Sequence, residues 1–143
     1  MPLPSKTLIL AGIALSALGA IALVGSFPVM SHYEGKAVLA QRVEKDEAGA
    51  LFDDPYRNIG SPQQFVIDDP KAFLPEKGED GVALLSEDYL KEKGIYPTQL
   101  QSIRAIVNYS RMGAGALFVA GDVLLVFGLL RRRFGDQSAP ATT

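Results

Sequence analysis

Two apolar runs, one near each end of the chain, restrict what this sequence can fold into more than anything between them. From Thr7 to Met30 there is no ionisable side chain, and from Met112 to Leu130 there is one, Asp122. Each run is about the length a helix needs to cross a hydrocarbon core. Hydrophobic residues make up 48% of the chain but gather at its two ends. The mean hydropathy of +0.14 therefore averages two greasy segments with a polar centre. The expected fold is a membrane α-helical one. Transmembrane helices at 7–30 and 112–130 form a hairpin that flanks a small, mostly α/irregular extracytoplasmic domain at 31–97.

The first run competes with a signal peptide, because a basic residue, Lys6, precedes it. It is longer than a typical signal core, and its Ala20-Ile21-Ala22 lies inside the run with more apolar residues after it. An uncleaved anchor is the better reading. Gly12, Ser16, Gly19 and Ala20 would line one side of this helix, the pattern that lets membrane helices approach closely; Gly113, Ala116 and Ala120 form the corresponding stripe in the second span. Gly and Ala are also simply common in membrane helices. Pro28 falls at the outer end, where a break is tolerable. Lys6 and the Arg131, Arg132 and Arg133 cluster place residues 1–6 and 131–143 in the cytoplasm and the middle outside. The last of these segments reads as a basic stop followed by a disordered tail.

The middle holds fourteen of the sixteen acids. Val38, Leu39 and Val43 suit a short amphipathic helix from Lys36 to Ala48, although the first half would also suit a strand. Residues 53–64 are rich in turn signals: Asp-Pro, Asn-Ile-Gly and Ser-Pro. Gln64–Ile67 is the best strand candidate, and 71–81 reads as loop or a single turn. Ser86 as N-cap, Glu87 and Asp88 in the first turn, Lys91 and Lys93 in the last, and Gly94 as stop define a short helix. Thr98 with Gln101 forms a capping box for a helix over 98–111 that continues into the second span. Leu100, Ile103, Ile106 and Val107 give that helix a face to bury.

Few residues can carry chemistry. The absence of cysteine excludes disulfides, thiolate zinc sites and cysteine-ligated iron–sulfur clusters. The net charge of −2, with scattered basic residues, gives no case for nucleic acid. His32 is the only histidine. It is a weak candidate for axial ligation of a tetrapyrrole, with interfacial solvated histidine as the plainer reading. The acid pairs Asp53-Asp54, Asp68-Asp69 and Glu79-Asp80 match no EF-hand pattern and suit solvated turns. No nucleophile–base pair is visible, so no enzyme and no cofactor of its own are expected.

Asp122 stands out. A carboxylate near mid-bilayer costs at least about 2.5–3.5 kcal/mol, so it should face protein or be protonated. Counting antiparallel from the membrane edges brings it opposite Ser16. A hydrogen bond within the hairpin, a contact with a polar or basic group of another subunit, and proton relay all remain open. The lone acid makes relay within this chain the poorest of the three. The expectation is a non-catalytic accessory subunit of an energy-transducing or transport complex in the cell membrane, with other membrane subunits and the lipid bilayer as partners. The alternative is a membrane-anchored extracytoplasmic sensor or a module that binds a ligand or an envelope component.

Overall fold

Secondary structure follows the apolar runs at the two ends and departs from expectation between them. The computed structural model describes residues 3–135; of the tail expected to be disordered, Gly135 is the last residue of a helix and the rest lies outside the described residues. Helix α1 spans Ser5–Lys36 and helix α3 spans Leu100–Gly135. Both are long and apolar enough to cross a membrane, and only 17% of each apolar stretch is buried. The core helix of a soluble protein would be mostly covered, and these two are not.

Pro28 does not end α1, which runs on to Lys36. The missing proline amide removes one helical hydrogen bond. Beside it, Ser26 Oγ donates to the Leu23 carbonyl at 2.7 Å, and Arg111 Nε donates to Ser26 Oγ at 2.8 Å. The Arg111 guanidinium also lies 4.5 Å from the Phe27 ring centroid, close enough for a cation–π contact.

Two units make up the chain: Met1–Val29 with Ile106–Thr143, and Met30–Ala105. The second is built on a five-stranded sheet, not on the mostly α/irregular domain expected from sequence. Strands β1 (Ala37–Lys45), β2 (Tyr56–Val66), β3 (Phe73–Lys77), β4 (Ala83–Ser86) and β5 (Thr98–Gln99) lie in the order β3-β4-β1-β2-β5. β1 is central, antiparallel to β2 and parallel to β4. The segment expected to be a helix is therefore the middle strand. Its burial follows a strand covered on both faces: Ala40 is fully buried, Gln41 and Val43 nearly so, while Val38 and Leu39 are exposed.

The turn signals of 53–64 also mislead. Ala40 pairs with Gln63 and Arg42 with Ile59, so Gly60, Ser61 and Pro62 bulge opposite Gln41. Gly60 takes φ +69°, where a side chain would be strained, and Pro62 sits where no ladder hydrogen bond is needed. Gln41 Nε2 fills the bulge by donating to the carbonyls of Arg42, Ile59 and Gly60, each at 3.1 Å. A further departure is at Thr98. It pairs with Val66 in β5 instead of capping α3, which begins at Leu100.

Helix α2, Glu87–Lys93, matches its sequence signals. Ser86 accepts from the Tyr89 amide at 3.3 Å, and Gly94 closes the helix at φ +65°. Leu90 of α2 joins Ala40, Phe65, Ala72 and Leu85 in the core. Arg42, on the same face of β1 as Ala40, donates through two nitrogens to Glu87 Oε2 at 2.9 and 2.7 Å. This ion pair ties the central strand to the first turn of α2.

Candidate functional site

In the hairpin unit, the site begins with a seam of small residues. The buried positions of α3 within this unit are Val107, Ala114, Gly121 and Gly128, each seven residues after the last. A seven-residue repeat keeps one stripe of a helix facing its partner. Glycines on both helices allow backbone-to-backbone approach. A Cβ on Gly12 would lie 2.7 Å from the Leu125 amide nitrogen, and one on Gly19 would lie 2.7 Å from the Ala114 carbonyl. At Gly121 an added Cβ would collide with the Ser16 amide and hydroxyl. Ala114, Gly121 and Gly128 were not in the stripe expected from sequence; their heptad spacing was the signal for them. Gly113, Ala116 and Ala120 lie elsewhere: all three are exposed, with open space around Gly113. Ile106, expected on the buried face, is 66% exposed because it stands one step off the repeat.

Beside this seam the structure brings Ser16 and Asp122 together. Ser16 Oγ donates to Asp122 Oδ1 at 2.8 Å, with the Phe118 carbonyl at 3.4 Å as a weaker acceptor. Asp122 itself is exposed on the helix pair. It lies in a shallow groove of about 390 Å3 whose other walls are Val119, Val123, Val126, Phe127 and Leu130. Magnitudes decide how far the serine helps. Side-chain hydrogen bonds between membrane helices average about 0.6 kcal/mol and reach about 1.7. A mid-bilayer carboxylate costs at least about 2.5–3.5 kcal/mol. In a hairpin that crosses a membrane, one serine would offset only part of that. At one end of the hairpin Arg131 donates to the Leu3 carbonyl at 2.9 Å; Lys6, Arg132 and Arg133 are exposed.

The sheet unit carries a second concavity. Residues alternate across a strand, so Gln41, Val43 and Leu84 face away from the side that α2 covers. They floor a cleft of about 680 Å3, whose rim includes Asp53, Asp54, Glu76, Glu79 and Asp80 with Lys77. Two of the three sequence-level acid pairs thus meet at one cleft. They do not converge: no group of three or more His, Cys, Asp or Glu among the described residues is placed to hold a metal ion. The third pair is structural. Asp68 pairs with Lys36 at 3.2 Å, and Asp69 accepts from the Lys71 amide and from the Tyr89 hydroxyl at 2.7 Å. His32 is exposed, with its ring edge-on to Tyr33 at 5.7 Å.

Hydrogen bonding tunes two pairs of this unit. Lys91 beside Glu44 holds that carboxyl below its ordinary range, with Arg57 adding to the effect, and Glu44 in turn raises Lys91. The Tyr89 hydroxyl lowers Asp69, aided by the Lys71 amide, while Asp69 raises Tyr89. Asp69 therefore contributes stability that is full above about pH 4, its unfolded value, and fades as pH falls through its lowered folded one. Tyr89 contributes stability that is full below about pH 10 and fades as pH rises through its raised value. A Tyr89→Phe variant is expected to lower the urea midpoint by a constant amount between those limits. Its midpoint should merge with wild type at both extremes, and a pH series of urea titrations checks this.

No family model, curated protein or solved structure matches the chain.

Proposed function

We propose that this chain is a non-catalytic accessory subunit of a multi-subunit membrane complex, of the energy-transducing or transport kind, that helps hold the assembly together. Asp122 carries the reading. The hairpin closes its own seam, yet leaves outside it an acid that one serine offsets only in part. A neighbouring subunit is the natural source of the remaining stabilisation. Exposed apolar residues on the sheet unit add to the case: Leu51 is 83%, Phe52 85% and Tyr96 90% exposed. Lys6 and the Arg131–Arg133 cluster favour cytoplasmic termini, with the sheet unit outside. The reading requires no cofactor bound by this chain alone.

Extraction of native membranes into lipid nanodiscs tests it. The chain should resist carbonate washing and elute with other polypeptides at a fixed ratio. A lone monomer, or a chain released by carbonate, would count decisively against a subunit role. One observation favours a second reading, an extracytoplasmic binding module: the acid-rimmed cleft of the sheet unit, whose volume suits a small ligand. Retention of a cationic small molecule by the purified full chain would promote that reading.

A further inference from the structure

The Asp122 groove is shaped by α3 alone, over about three turns from Val119 to Leu130. Most of its wall, Val123, Val126, Phe127 and Leu130, lies between Asp122 and the arginine cluster. Ser16 occupies one carboxylate oxygen, Oδ1. Among the described residues no cation pairs with Asp122.

We propose that this groove seats a transmembrane helix of a different polypeptide, one that presents a single Lys or Arg side chain to Asp122. The proposal rests on the subunit reading and names the chemistry of the neighbour. Charge complementarity selects the occupant. A lipid tail would cover the valines and Leu130 but offers the carboxylate no donor. A second copy of this chain fails for a related reason: its runs from Thr7 to Met30 and from Met112 to Leu130 contain no cation, only another Asp122. Two carboxyls at one site disfavour each other's charged form, and neither brings the cation that would answer an ionised acid. A foreign helix with one cation answers both the acid and the apolar wall. Its contact lies mainly on the arginine-cluster side of the bilayer midplane, because the groove does.

The test uses the full chain in phosphatidylcholine vesicles, donor-labelled, with acceptor-labelled single-span Leu/Ala peptides bearing Lys, Leu or Asp at the centre. Energy transfer should show the Lys peptide associating about tenfold more tightly than the Leu peptide, and the Asp peptide no better than Leu. Asp122→Asn should erase the Lys preference while leaving the helical circular dichroism intact. Ser16→Ala, which frees Oδ1, should keep it. Equal association of the three peptides would overturn the proposal, as would a Lys preference that survives Asp122→Asn. So would peptide-free self-association of the chain that Asp122→Asn abolishes. Failure here is distinguishable from failure of the subunit reading. A chain that elutes with neighbours from native membranes, but ignores the Lys peptide, retains its subunit role and loses this partner chemistry.

Discussion

Gly121→Val will drive the two long helices apart. A Cβ at Gly121 meets the Ser16 amide and hydroxyl and comes within 2.8 Å of the Gly12 carbonyl, so the obstacle is mostly backbone on the opposing helix. Overpacking a core that can relax costs about 1–3 kcal/mol, occasionally more. A backbone obstacle cannot be met by rotating a side chain, and the effect belongs at the upper end of that range. The Ser16–Asp122 hydrogen bond, adjacent to the collision, should be lost with it. Energy transfer between dyes at Ser5 and Arg133, in vesicles of the chain alone, should fall sharply in the variant. Gly113→Val, at a position with nothing within 4 Å of an added Cβ, should match wild type. Unchanged transfer in Gly121→Val would mean that the helices do not meet at this seam.

Phe65→Ala should unfold the sheet unit while leaving the hairpin helical. Phe65 is 2% exposed and packs with Ala40, Leu85 and Leu90 at the centre of the core. Truncating a buried phenylalanine costs about 3–5 kcal/mol. A single core in a domain below about 70–80 residues rarely supplies more than about 3–5 kcal/mol in all. Met30–Ala105 is near that size, so the loss is comparable with the whole margin. Limited proteolysis at 37 °C should cut the variant rapidly between β1 and β4 while wild type resists. Leu51→Ala, at an 83% exposed position, should change little, within about 0.5 kcal/mol. If Phe65→Ala kept wild-type protease resistance, the core would lie elsewhere.

The domain between the helices was the least legible part of the sequence. Val38, Leu39 and Val43 suit a helical period in isolation, yet β1 takes its shape from β2 on one edge and β4 on the other. Strand preference depends on such neighbours more than on the residue itself. The Gly60-Ser61-Pro62 signals are genuine breaks in regular backbone, but here they make a bulge inside one strand, with Gln41 across from it. Only pairing distinguishes a bulge from a turn. Thr98 was likewise diverted from a cap to a ladder by Val66. Helix α2 was legible because its signals are all local: Ser86 and Gly94 act on backbone groups within one turn.

The same division runs through the candidate site. Sequence alone determined that two helices of membrane-spanning length exist, that one acid interrupts them, and that Ser16 lies opposite it when the two runs are counted antiparallel. These follow from the uninterrupted apolar length and a fixed rise per residue, which need no knowledge of the fold. Tertiary structure decided which small residues touch: Gly12 and Gly19 against Gly121, Leu125, Ala114 and Phe118, with Gly113, Ala116 and Ala120 left facing outward. It also decided the sheet. Stripes of similar composition differ by only about 100° around a helix, and strands acquire identity only from their partners, so both choices lie between segments distant in the chain.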